Sequence, residues 1–242
     1  MICLLDETQI GFPDPRQGDE DGLFAVGGDL SAERLLLAYS YGIFPWFAFR
    51  PEDTCDVFMN KETGKPYIQW WCPMQRFVIF PNEIHISHSM QQVMNKVVSG
   101  EITVTINKAF EKVMDHCGGI SCGKNRLELE GAWLGDDIKK AYTELHEMGM
   151  AASVEVWDEN DELFGGLYGV TVGNGFYGES MFSTKPNGSK IALICLAKIL
   201  QMKNIGLIDC QFETPHLKSM GGRYISYDEY LKIIQQGTNM EE

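Results

Sequence analysis

The chain is short of positive charge. Its 20 lysines and arginines face 34 acidic residues, a formal −14 at pH 7 over 242 residues. A broad nucleic-acid-binding face needs basic side chains to neutralise phosphates, so that class is excluded, and any RNA contact has to be a local basic patch on an acidic body. A cationic second substrate suits such a charge. Long apolar runs are missing as well. The stretch 191–196 is among the longest and is far too short to cross a bilayer. Nothing near the N-terminus pairs basic residues with an apolar run, so the expectation is a cytoplasmic protein with no membrane association. The seven cysteines form no framework, as their odd number and scatter fit reduced thiols. The nearest pair, Cys117 and Cys122, lacks the second Cys or His pair that zinc requires, so no metal is expected. No H-x-x-x-H spacing, Ser/His/Asp order, G-x-G-x-x-G or Walker-type loop occurs, and no cofactor is expected.

What is present reads as an ordinary globular chain, 44% hydrophobic and 22% charged. The first thirty residues are rich in turn formers. Ser31 caps a helix over 31–41 that Gly42 ends. A polar stretch, 50–65, reads as a loop or hairpin insertion, and 68–71 as a strand stopped by Pro73. A domain boundary is expected there, separating residues 1–72 from 73–242. Beyond it, Ser87 caps a helix over 87–99, 102–106 alternates as a strand, 109–117 is helical and 118–131 is loop. Residues 136–148 carry apolar side chains at helical spacing. Three strand-like runs follow at 152–157, 163–172 and 176–182, joined by turns of hairpin chemistry. A helix (189–203), a strand (206–211) and a last helix (227–235) complete the order. A meander of antiparallel strands followed by loop, helix, strand and helix is the order of acyl-CoA N-acyltransferase folds, an analogy that does not set the substrate.

Three stretches could carry chemistry. In the run 176–183, simple alternation puts Glu179 and Met181 on one strand face, Ser180 and Phe182 on the other. Glu179 is then either an edge-strand residue facing water or a carboxylate lining a cleft. In the run 206–211, the same rule puts Asp209 and Gln211 on one face, where an acid and a carboxamide could bind, orient and deprotonate an amine. The plainer alternative is an Asp capping the turn at Glu213-Thr214-Pro215. The loop 185–190 offers backbone N–H groups at a helix start. Lys190 stands where acyl-CoA enzymes have Gly or Ala, so it would obstruct a pyrophosphate yet could meet an RNA phosphate. Much aromatic surface also follows the first helix directly in Phe44, Trp46 and Phe47, either as packing or as a wall for a base.

Taken in order along nearly the whole chain, these strings resemble the leucyl/phenylalanyl-tRNA–protein transferase family. They are Val26-Gly27-Gly28-Asp29-Leu30, Gly42-Ile43-Phe44-Pro45-Trp46-Phe47, Trp70-Trp71, Ser153-Val154-Glu155-Val156-Trp157, Gly165-Gly166-Leu167-Tyr168-Gly169-Val170, Gly178-Glu179-Ser180-Met181-Phe182-Ser183, Asn187 with Ser189-Lys190, and Leu207-Ile208-Asp209-Cys210-Gln211 with His216. The resemblance implies an α+β fold: a small N-terminal domain joined to an acyl-CoA N-acyltransferase (GNAT)-like domain with a mixed, largely antiparallel sheet flanked by helices. It implies a monomeric enzyme that moves Leu or Phe, or Met, from charged tRNA to the N-terminal Arg or Lys of an acceptor protein, marking it for degradation. It assigns Asp209 and Gln211 to amine orientation and proton removal, and Glu179 to positioning. Leu167, Phe176, Ser180, Phe182 and Leu196 would form the side-chain pocket, walled by Trp46 and Trp133. The family usually has an arginine where His88 stands, and the candidates for tRNA contact are Arg76, Lys124, Arg126, Lys185 and Lys190. The rival expectations are an acyl-CoA N-acyltransferase and a non-catalytic reader of basic N-termini.

Overall fold

A computed structural model describes residues 2–46, 67–118 and 136–236. The expected insertion 50–65 and nearly all of the expected loop 118–131 lie outside the described residues, as do Phe47, Lys124, Arg126 and Trp133. Among the described residues, eleven strands form two sheets. β1 (Cys3–Leu5), β2 (Leu23–Gly27), β3 (Phe44–Pro45) and β4 (Gln69–Trp71) make a four-stranded sheet in the order β1-β2-β4-β3. Its β1–β2 pair is parallel and its other pairs antiparallel.

Between β2 and β3 lies α1 (Ala32–Ser40), whose start is built by the Gly27-Gly28-Asp29 string. Asp29 Oδ1 accepts from Ser31 N, Ser31 Oγ caps Arg34 N, and the buried Arg34 guanidinium reaches the carbonyls of Asp6 and Gln9. That string therefore has a structural use, satisfying a helix start whose N–H groups would otherwise be orphaned.

The second sheet has seven strands in the order β11-β5-β10-β9-β8-β7-β6. They are β5 (Gln75–Ile79), β6 (Thr103–Ile106), β7 (Ala151–Trp157), β8 (Leu163–Val172), β9 (Gly175–Ser183), β10 (Leu207–Asp209) and β11 (Arg223–Ser226). All its pairings are antiparallel except β9 with β10, so the sheet is mixed and largely antiparallel as expected. One face packs α2 (His88–Ser99) and the long α5 (Gly188–Met202), which is apolar nearly all round because it lies against the sheet. The other face packs α3 (Phe110–Cys117), α4 (Asp136–Glu147) and the first sheet, with α7 (Tyr227–Ile234). A short α6 (Pro215–Ser219) follows β10.

Two details of strand geometry create the site. β9 and β10 run parallel only over Gly175–Tyr177 and Leu207–Asp209; β9 then continues to Ser183 along β8 while β10 stops. Opposite Tyr168 and Gly169 the register slips by one, leaving Glu179 as an extra residue of a β-bulge. Before the bulge Phe176 packs towards α5; after it Met181 does, so the side-chain parity is inverted. Phe182 consequently lies on the opposite face, buried and stacked on His116.

Candidate active site

Where β9 and β10 part, a cavity of about 380 Å³ opens, floored by Leu193 and Leu196 of α5. Leu167, Phe176, Ser180 and Leu196 border it. Phe182 does not, because the bulge turns it away. The remaining apolar lining comes from Met181, Ile208 and Leu217. Trp46 is not part of that lining; 43% exposed, it packs on Phe212 with ring centroids 4.5 Å apart and on Trp71 at 5.2 Å. Phe212 in turn meets Phe44 and Trp71 edge-on. This aromatic cluster ties the first sheet to the turn that follows β10.

That turn departs from the expected strand. β10 ends at Asp209, and Gln211 has φ 57°, in the left-handed region that a branched or long side chain seldom adopts. Phe212 N donates to Cys210 O at 2.6 Å, closing a three-residue γ-turn around Gln211. Gln211 N donates to Asp209 Oδ1 at 2.9 Å. Asp209 and Gln211 are thus brought together by a strained turn and not by sharing a strand face. Strain of this kind persists only where the surroundings enforce it.

Asp209 does not serve as a free base. Its side chain is fully buried and already accepts from Arg76 Nε (2.9 Å to Oδ1), Arg76 Nη2 (2.7 Å to Oδ2) and the Tyr230 hydroxyl (2.7 Å), besides the Gln211 amide. It cannot meet an incoming amine directly, and its effect on substrate passes through Gln211. Arg76 is likewise fully buried and unavailable to an RNA phosphate. Burial alone would lower its pKa, but the Asp209 carboxylate and Tyr230 outweigh burial and hold the guanidinium protonated. Arg76 Nη2 also donates to Gly42 O at 2.6 Å. Gly42 has φ 70°, and a Cβ there would lie 2.4 Å from the Tyr230 ring, so glycine lets this carbonyl approach. An arginine immediately before the apolar run Phe77-Val78-Ile79-Phe80 is the one signal in the sequence for this ion pair.

Glu179, on β9, is half-buried and also borders the cavity. The Tyr39 hydroxyl lies 2.7 Å from Oε1 and the Tyr142 hydroxyl 2.9 Å from Oε2. Burial pushes the Glu179 carboxyl up to about 7, against the opposing pull of the two hydroxyls. Tyr39 and Tyr142 occupy buried positions on the apolar faces of α1 and α4, and no sequence pattern distinguishes them from core residues. His216 borders the cavity with a buried Nε2 that has no hydrogen-bond partner among the described residues; burial and then Lys190 lower its pKa, favouring neutral imidazole. Burial pushes the Cys210 thiol up, so it is no thiolate nucleophile.

The loop before α5 is filled. Ser189 N bonds to Ser183 Oγ, and a Cβ on Gly188 would fall 2.8 Å from Gly165 Cα. Lys185, expected to meet RNA, is held by Asp158 and Glu162. Lys190 remains half-buried at the first turn of α5. Among the described residues no group of three His, Cys, Asp or Glu could hold a metal ion, and no helix is long and apolar enough to cross a membrane.

Comparison with known proteins adds to this geometry. Residues 78–235 match the sequence model of the leucyl/phenylalanyl-tRNA protein transferase family, and residues 28–54 match that of the N-terminal domain found in the same proteins. Curated relatives bearing the same name include one from Flavobacterium psychrophilum, 44% identical over 94% of this chain and 97% of its own length. One from Legionella pneumophila is 41% identical over 95% and 92%, and one from Syntrophus aciditrophicus 43% identical over 97% and 88%.

Proposed function

The chain belongs to the leucyl/phenylalanyl-tRNA–protein transferase family, and from that premise we propose how it moves Leu or Phe from charged tRNA to a protein. The donor's side chain enters the apolar cavity between β9 and β10, and the acceptor is a protein whose N-terminus is Arg or Lys. The observation that carries this reading is the cavity itself: a mostly apolar lining suited to an uncharged side chain, with Gln211 and Glu179 both on its border.

An aminoacyl ester is already activated, so no acyl-enzyme is needed. The protein must orient the acceptor amine, accept its proton and stabilise the developing oxyanion. An α-amino group with a reference pKa of roughly 8 needs only a weak base nearby. Gln211 orients the amine, Asp209 acts by fixing the turn that presents Gln211, and Glu179 meets the reacting groups. Lys190 contacts the tRNA. Residues 1–72 form a small N-terminal domain and 73–242 the catalytic one; the first sheet ends at Trp71 and the second begins at Gln75. The enzyme works as a cytoplasmic monomer, and its product carries an N-terminus that marks it for proteolysis.

An acyl-CoA donor is disfavoured because the loop before α5, where a pyrophosphate would dock, is packed against β8 and capped by Ser183. The test offers labelled Leu or Phe on tRNA, and separately acyl-CoA, to acceptors beginning with Arg, Lys or Ala. RNase-sensitive labelling of the Arg and Lys acceptors is expected. Labelling from acyl-CoA alone, or binding of basic N-termini with no transfer from either donor, would overturn the reading.

A further inference from the structure

The contacts around Glu179 close a ring. Oε1 meets the Tyr39 hydroxyl at 2.7 Å, that hydroxyl meets the Tyr142 hydroxyl at 2.5 Å, and the Tyr142 hydroxyl meets Oε2 at 2.9 Å. Each of these three O···O contacts is at hydrogen-bond length and needs one proton. Each tyrosine supplies one. With Glu179 ionised, two protons serve three contacts, and one pair of oxygens is left facing lone pair to lone pair. With Glu179 protonated, three protons serve three contacts and the ring is complete. Among the described residues, the other titratable or charged groups acting on this site are Tyr168 from β8, Asp209 from β10 and Arg76 from β5. Arg76 is committed to Asp209, and among the described residues the Asp209 charge disfavours the Glu179 carboxylate more than Arg76 favours it.

We infer that Glu179 is a neutral carboxylic acid in the resting enzyme at neutral pH, and that it serves as the general acid for the leaving ribose oxygen. The inference rests on the aminoacyl-transfer reading above. In the step, the acceptor nitrogen forms a bond to the ester carbonyl carbon and the carbon–oxygen bond to the ribose breaks. The ribose oxygen takes the Glu179 proton, and the proton shed by the attacking amine returns to the carboxylate. Nothing is consumed, and the ring is restored for the next turnover. Bordering the cavity, Glu179 is placed to touch the reacting atoms, while Tyr39 and Tyr142 are positioning residues that hold its proton. Burial, which favours the neutral form, acts in the same direction.

The test follows the carboxyl directly, by carbon NMR and infrared difference spectra of protein labelled with ¹³C-glutamate, titrated from pH 5 to 9. A protonated carboxyl signal at pH 7, present in wild type and missing in Glu179→Gln, is expected. Tyr142→Phe gives the sharper reading. If the two hydroxyls were only donors to a carboxylate, removing one would raise the Glu179 titration point. If the ring needs the third proton, the change removes two of the three contacts and one proton, leaving the Tyr39 proton for the one contact that remains, so the demand is relieved and the titration point falls. A carboxylate already ionised at pH 6, or an upward shift in Tyr142→Phe, would overturn the inference. In single-turnover transfer, the limb falling at high pH is expected to vanish in Glu179→Gln. Absence of transfer from charged tRNA at every pH would instead defeat the underlying reading, and the spectra would still report the proton.

Discussion

Arg76→Met should be among the most destabilising single changes outside the hydrophobic core. It removes the guanidinium from a pair in which both side chains are fully buried, leaving the Asp209 carboxylate with only the Tyr230 hydroxyl and the Gln211 amide. Breaking a buried pair from one side costs about 3–5 kcal/mol, because the surviving charge stays desolvated. For a chain of this length each kcal/mol lowers Tm by roughly 2–4 °C, so a fall of roughly 6–20 °C is expected. Urea denaturation and thermal melts of Arg76→Met, Asp209→Asn and the double variant form a cycle. The double variant should lose less than the two singles together, by about 0.5–3 kcal/mol. An Arg76→Met loss under about 1 kcal/mol, or strict additivity, would refute the idea that this pair anchors the turn. Asp209→Ala strands a buried guanidinium and loses activity partly through folding, so its transfer has to be scored on the folded fraction.

Other outcomes follow from neighbouring contacts. Phe212→Ala removes the ring that Trp46, Trp71 and Phe44 clasp, so the strained Gln211 turn relaxes; kcat should fall on the order of 10- to 100-fold with KM for charged tRNA little changed, and the loss should not add to that of Gln211→Ala. The raised pKa of Glu179 has a stability signature. A group whose folded pKa lies above its unfolded value of 4.5 contributes most below that pH, and its contribution is lost as pH rises through about 7. Chemical denaturation of Glu179→Gln against wild type should therefore shift in favour of the variant between pH 5 and 8, and a constant difference would contradict the raised pKa. Lys190→Ala should weaken charged-tRNA binding and reduce the slope of log affinity against log salt by about one, read by filter binding.

Much of the architecture was legible from pattern. Ser31 and Ser87 cap the helices that the periodicity places after them, and the turns around residues 158–161 and 173–175 set the meander. What alternation could not show was the bulge at Glu179, since one extra residue inverts the faces of everything after it. The resemblance puts Phe182 in the pocket, and the bulge turns it to the far side. Periodicity also extended β10 to Gln211, because nothing local says that Asp209 turns inward to a partner 133 residues away. Arg76 was assigned to RNA for its charge, when its burial against Asp209 and under the rings of Phe44 and Tyr230 depends wholly on tertiary pairing. Tyr39 and Tyr142 looked like core residues; only the fold brings their hydroxyls to one carboxyl.

The central claim is that the donor's side chain lies in the cavity between β9 and β10, and narrowing that cavity tests it most directly. Leu196 borders the cavity floor, so Leu196→Phe takes space a bulky donor needs. In competition between Phe-tRNA and Leu-tRNA for one acceptor, the variant should disfavour phenylalanine relative to wild type by at least about tenfold in kcat/KM, the scale of discrimination a pocket's size provides. Equal use of the two donors in wild type and variant, with the variant folded, would place the donor elsewhere and contradict the account.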